Sequence, residues 1–451
     1  MRASGKMIEK QAATAAPAGS EERLQQLHQR FLSERFGHGQ SPAGERRAAA
    51  LLRFLGQGFP TRKDEDWKYT DLKPLRNTAF ELPPAAPEDG ALAAAVQAAS
   101  LAQSHRLVFV NGRFSETLSA ITGLPEGLSI RALDPDDDRG VEAPPRLERF
   151  ENAFTALNTA FLEQHFEIVV GRDVELVLPI ELLYFSKGGG APFMAQSRVR
   201  LTLEPGARAT LLEQFISTEP APYFNNLVRD VEVGQGAVLH HARLLEEGRE
   251  GCQVAQNRVR VDRDARYASC VIQLDGRLLR DDLRVVLDGA GADVYMAGLY
   301  RLSGRTHADN HTVIDHARGQ TTSRELYKGI LDGSSRGVFF GRILVREQAQ
   351  KINAQQSNKN LLLSTEARAD STPQLEIHAD DVQCRHGSTI GRLDEDMLFY
   401  LRSRGLSKER AQELLTYAFA NEIIAELPIV ELRERLAARL IGDGAEQERL
   451  S

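Results

Sequence analysis

Cys384 and His386 stand two residues apart, and thiolate and imidazole are the side chains that zinc, copper and iron sites recruit. In an extended segment, positions i and i+2 project from one face, so both groups can reach a single ion. Two ligands do not close a four-ligand site. Metal chemistry at this pair therefore requires ligands from another segment or another chain. The pair sits in the run Lys351 to Gly405, where Asn353, Gln355, Gln356, Ser357, Asn358 and Asn360 form a polar, ladder-like stretch and Gln374 to Ile377 reads as a strand. Helical character begins at Asp394.

Other groups invite chemistry less strongly. His307, His311 and His316 fall in the segment HADNHTVIDH. His307 and His311 share a face whether that segment is helix or strand. Spacing alone specifies a metal weakly, so the favoured reading is a row of hydrogen-bonded imidazoles on a β face. Gly333-Ser334-Ser335-Arg336-Gly337 matches Gly-x-Ser-x-Gly, but Val338 to Val345, directly after it, reads as a strand. A nucleophilic serine needs a strand-to-helix elbow, so a β-turn is expected. Cys252 and Cys270 read as small core residues. No Gly-x-x-x-x-Gly-Lys-Ser/Thr loop, His-Glu-x-x-His or dinucleotide fingerprint occurs, so nucleotide hydrolysis by this chain alone is not expected.

The elements that must carry these residues are set by periodicity. Glu21 to Phe36 places Leu24, Leu27, Phe31 and Leu32 at helical spacing, and Pro42 to Leu55 does so with Ala48, Leu51, Leu52 and Leu55. Arg106 to Phe114 surrounds Asn111-Gly112, a hairpin signal. Pro-rich and Asp-rich linkers span Pro83–Pro87 and Asp134–Pro145, and a further helix runs from Phe150 to His165. From about Phe166 to Leu393 the period becomes two, as in Val199, Leu201 and Leu203. Turn signals such as Gly206, Gly236, Asp264, Gly291 and Gly319 recur roughly every 27 to 31 residues, one structural coil per interval. A mainly β fold with helical ends is expected, its core a solenoid of short strands; an irregular sandwich is the competing reading. Helices start after Asp394 and at Ser407, and Pro428 stands in the first turn of a third that ends near Ile441. The expected organisation is a tail over 1–20, a mostly helical domain over 21–165, a β-helix over 166–393 and a helical domain over 394–451.

Composition sets limits. The chain has 451 residues, 42% hydrophobic and 26% charged, with a net charge of −7. That charge argues against a general nucleic-acid or anionic-membrane surface. No apolar run approaches the ~18 residues of a membrane span. Three irregularly spaced cysteines and no secretory signal point to a reducing, cytoplasmic setting. An enzyme acting on polysaccharide is the alternative function for a β-helix, using Asp281 and Asp282 or Asp380 and Asp381. Adjacent carboxylates on a strand point to opposite faces, a poor acid–base geometry.

QTTSRELYKGILDGSSRGVFFGRILV (residues 320–345), AQQSNKNLLLS and QLEIHADDVQCRHGSTIGRLDEDMLFYLRSRG strongly resemble the SufB/SufD family of iron–sulfur cluster assembly scaffolds. PTRKDEDWKYTDL, Pro60 to Leu72, looks like the N-terminal motif of the SufD branch, and the chain length fits that branch better than SufB. The resemblance covers nearly all of the chain beyond the first twenty residues. It implies a right-handed parallel β-helix between two helical domains, and a non-catalytic scaffold working with a SufB-like paralogue and the ATPase SufC. ATP would act only through SufC, docked on the C-terminal helices. His386, with Cys384 beside it, would lie at the SufB junction where iron or a nascent cluster is held in common with that partner. The resemblance also allows a homodimer where SufB is absent. A reduced flavin has been associated with such complexes; no residues here place one. Neither Cys252 nor Cys270 matches the family's sulfur-receiving motif.

Overall fold

The computed structural model describes residues 20–36, 41–85, 88–133, 144, 146–188, 190–218 and 221–441. The expected tail, except for residue 20, and most of the Asp134–Pro145 linker lie outside them. Five helices precede or flank the first coils: α1 (Ser20–Phe36), α2 (Pro42–Gln57), α3 (Lys73–Arg76), α4 (Gly90–Ala99) and α5 (Ala153–Phe161). Three more close the chain: α6 (Glu395–Ser403), α7 (Lys408–Ile424) and α8 (Val430–Ile441).

The early strands are β1 (His105–Val110), β2 (Arg113–Ala120), β3 (Leu128–Leu133), β4 (His165–Val170), β5 (Ile180–Ser186) and β6 (Phe193–Leu203). Next come β7 (Arg208–Ser217), β8 (Tyr223–Val233), β9 (Val238–Glu246), β10 (Gly251–Val261), β11 (Arg266–Asp275) and β12 (Leu278–Leu287). The series ends with β13 (Asp293–Leu302), β14 (His307–His316), β15 (Thr322–Leu331), β16 (Arg336–Val345), β17 (Ile352–Leu362), β18 (Arg368–Ile377) and β19 (Val382–Gly391). Odd-numbered strands from β5 to β19 stack in one sheet, which β1 and β2 extend; even-numbered strands from β4 to β18 form the other, ended by β3. Within each stack the pairing is parallel, so each coil contributes one strand to each sheet: a β-helix. Cys252 pairs with Leu278, a step of 26 residues, and Arg336 with Arg368, a step of 32. The expected hairpin is β1–β2, closed at Val110↔Arg113 with Asn111 and Gly112 at positive φ.

One corner explains the repeat seen in the sequence. Gly206, Gly236, Asp264, Gly291, Gln320 and Lys351 all adopt φ between 54° and 77°. The backbone N–H of each bonds to the turn of the next coil, for example Gly206 to the Gln235 carbonyl and Lys351 to the Asp381 carbonyl, at 2.9 and 2.7 Å. The corner therefore requires a left-handed residue once per coil. Glycine meets it without cost, and Asp, Gln and Lys accept the strain.

Inside the coils, Val231, Val259, Val285 and Ile314 line up with aromatic stacks such as Tyr184 on Phe215, 4.6 Å apart. α5 is buried along its length and capped by reciprocal bonds between Asn152 and Thr155. With Leu27, Phe31, Leu51 and Phe54 it packs on Phe224, Val254 and Leu278 of the solenoid. Leu52, expected on the same face, is 66% exposed, because the stripe of α2 runs through Ala50, Leu51 and Phe54. At the far end α7 and α8 seat Ile423, Ile424, Leu432 and Leu436 on Ile272, Leu299, Leu326 and Ile330.

Candidate metal centre at the open end

β19 is the last strand of its sheet. Its register sets Cys384 on Ala354, His386 on Gln356 and Ser388 on Asn358 of β17. Those three β17 residues are buried and face the interior, and in-register residues of parallel strands share a face. Cys384 and His386 therefore face inward on a coil that no described strand covers. The burial of β17 gives way to near-continuous exposure along β19, and Ile390 is 51% exposed.

Cys384 is half-buried at the rim of an apolar cluster with Leu375 and Val382, over Ile343, Ile352 and Ala354. Burial pushes its thiol above the ordinary value, so a bound cation is what would draw off its proton. His386 is exposed. Among the described residues no third His, Cys, Asp or Glu joins them in a group able to hold a metal. The donor set fits two ligands of a soft or borderline ion and does not by itself complete a four-ligand site.

The other candidates are structural. His307 bonds Thr70 Oγ1 at 2.9 Å, and His316 bonds Thr321 and Ser323 at 2.7 and 2.9 Å. His311 stacks on Phe340, centroids 4.3 Å apart. Burial drives all three imidazoles toward the neutral form, His307 to about 3 and His316 to about 4. The Gly-x-Ser-x-Gly match is the turn between β15 and β16, as expected, with Gly333 at φ 62°. Cys252 and Cys270 are buried and pushed up to about 12 by burial. Asp281 and Asp282 are buried on opposite faces: Asp281 accepts from Asn257 at 2.7 Å, Asp282 from Arg280 at 2.7 Å. Asp380 and Asp381 are exposed beside the last coil.

Sequence reasoning missed what the Pro60–Leu72 string does. It clasps the solenoid. Trp67 stacks on Phe154 at 5.2 Å, the Arg280 guanidinium lies 4.2 Å over the indole, and Arg280 Nη1 donates to the Asp66 carbonyl at 2.9 Å. Thr70 reaches Asp309. A lone Trp in a charged string was the available signal. α6, the helix expected after Asp394, leaves Met397, Phe399 and Tyr400 exposed, Phe399 at 73%.

A parallel β-helix between helical ends, closed at one face by a clasp and open at its last coil, is the class of protein this geometry defines. Comparison with known proteins gives the family. Residues 184–419 match the family model for the SUF system FeS cluster assembly SufBD core domain, and residues 18–182 match the SufBD protein N-terminal region. The chain is 34% identical over 424 residues to the iron–sulfur cluster assembly protein SufD of Escherichia coli, covering 92% of this chain and 96% of that one. It is 33% identical over 408 residues to a SufBD family protein of Synechocystis, covering 86% and 88%. SufD of Bacillus subtilis is 27% identical over 293 residues, covering 64% and 66%. The chain belongs to the SufBD family of iron–sulfur cluster assembly proteins. Within it, the chain is SufD-like and serves the Suf system as a scaffold for cluster assembly. No helix among the described residues is long and apolar enough to cross a membrane.

Proposed function

We propose that this chain is the non-catalytic subunit of a cytoplasmic assembly in which a SufB-like paralogue stacks on its last coil and a SufC-like ATPase binds its C-terminal helices. Iron and sulfide are the cargo, held between Cys384 and His386 on this side and ligands of the paralogue on the other. The observation that carries the reading is the uncovered last coil with two metal-capable side chains on its inner face. Unpaired strand edges are a liability unless something covers them.

The helical end supports the ATPase part. Lys328, buried on β15, donates to the Phe419 carbonyl of α7 at 2.8 Å and pairs with Glu422. Motion imposed on α7 is thereby coupled to the solenoid. ATP shifts the junction only if the nucleotide-bound ATPase prefers one arrangement of it. Apolar α6 offers surface for that partner.

The test is anaerobic affinity purification from the source cells. Recovery of a P-loop ATPase and a paralogous β-helix protein is expected, and recovery of the chain alone overturns the assembly. In the recovered complex His386→Ala should leave composition unchanged and lower iron and sulfide loading. Unchanged loading removes His386 from the ligand set.

A further inference from the structure

A polar file runs inward from His386. In the sheet of odd strands, Glu325 of β15, Gln356 of β17 and His386 of β19 occupy successive layers of one register column. Glu325 and Gln356 are buried, and Gln356 Nε2 donates to Glu325 Oε2 at 2.7 Å. An ionised carboxylate accepts only, so it dictates which end of the amide turns toward it. The other end, Gln356 Oε1, is a buried acceptor with no hydrogen-bond partner among the described residues. A buried polar atom left without a partner is ordinarily destabilising. The facing sheet makes room for the amide: a Cβ at Gly341 would lie 2.2 Å from Gln356 Nε2.

We propose that Gln356 is a positioning residue for His386: clamped by Glu325, it offers its carbonyl oxygen to one imidazole N–H and so fixes which ring nitrogen is left for a metal. The inference rests on reading His386 as a ligand. A metal-bound histidine commonly donates its other N–H to a carbonyl or carboxylate, and losing that acceptor typically costs about 10–100-fold in metal affinity. In this file the acceptor is a side-chain amide one layer below, and the carboxylate that orients it is one layer deeper.

The experiment reads the imidazole directly. In the full chain with ¹⁵N-histidine, the His386 ring signals are assigned by their loss in His386→Ala. Spectra are taken at pH 8, where Glu325, pushed up to about 7 by burial, is ionised. One neutral tautomer should dominate in the parent chain. Gln356→Met, close in length but without the carbonyl, should give a mixture of tautomers. Gln356→Asn, which withdraws the carbonyl by one methylene, should do the same should the Met variant fold poorly. Glu325→Gln, whose amide can donate as well as accept and so no longer dictates which end of Gln356 faces it, should also lose the single tautomer. A parent-like tautomer in a folded Gln356 variant overturns the proposal. Ferrous ion binding to the purified assembly supplies the second readout, with at least a tenfold loss expected in Gln356→Met. If His386→Ala binds iron normally, the ligand reading fails, while the tautomer result still decides the positioning role.

Discussion

The coil around Arg280 and the coil that ends at β19 are built on the same repeat and treat their polar groups in opposite ways. In the first, every strong charge is answered within the chain. Arg280 meets Asp282, Asp309 and the Asp66 carbonyl beneath the Trp67 indole, and Arg258 grips Asp230 through two bonds of 2.7 and 2.8 Å. In the last coil, Cys384, His386 and Ser388 face an interior that ends there. A solenoid coil buries its inner face only when another lies over it. The closed coil is finished by its own sequence, and the open one is the face that the proposed paralogue would cover.

Arg280→Leu should be the most damaging way to test that contrast. The substitution leaves Asp282 and Asp309 buried without their cation, a type of loss worth about 3–5 kcal/mol. It also removes the guanidinium from Trp67 and frees the clasp. Chemical denaturation should report the loss, or the chain should fail to accumulate; a loss below about 1 kcal/mol would mean the pairs are not sealed from water.

Acidity offers a second lever on the closed interior. Burial raises the Glu247 carboxyl to about 7, against the hydrogen bonds from Tyr223 and Asn225 that lower it. Between the ordinary carboxylate value of 4.5 and that point, the folded chain holds a proton that the unfolded chain has released. Its contribution is thus lost as pH rises through this window, by about 3 kcal/mol at most. His307 and His316, held neutral by burial, act oppositely and destabilise the fold as pH falls below about 6.5. The difference between parent and Glu247→Gln isolates the carboxyl: the variant should gain on the parent from pH 5 to pH 8. Parallel pH profiles would place Glu247 in contact with water.

Much of the closed coil was legible. The steps between Gly206, Gly236, Asp264 and Gly291 are turn chemistry, local and fixed by φ, so they survive in the sequence as a period. At the next corner the left-handed residue is Gln320, one position past the Gly319 that the sequence marks. The β period of two and the fate of Asp281 and Asp282 are consequences of pleating. The candidate pair was legible as well, since Cys384 and His386 need only an extended backbone to share a face. What stayed hidden depends on contacts far apart in the chain. Nothing near Trp67 announces Arg280, 213 positions on. The burial of Leu51 beside exposed Leu52 depends on where α5 lies. Gln356 beneath His386 is a matter of register, which a one-residue slip would alter.

Two glycines give the finest test. Gly298 lies in a closed coil, where a Cβ would fall 2.2 Å from the buried Tyr327 ring. That ring is hemmed in by Phe339, centroids 5.1 Å apart, and has nowhere to turn. Gly298→Ala should therefore cost about 1–3 kcal/mol, as overpacking does. Gly387 lies in β19, one residue from His386, and a Cβ there meets nothing within 4 Å. Gly387→Ala should shift the stability of the isolated chain by no more than about 0.5 kcal/mol. Equal costs at the two positions, measured as denaturation midpoints, would mean that the outer face of β19, where Gly387 points, is packed in the isolated chain. A neutral Gly387→Ala that nevertheless weakens recovery of the paralogue would place the second molecule against β19, because only a surface buried on assembly can penalise a methyl that the free chain tolerates.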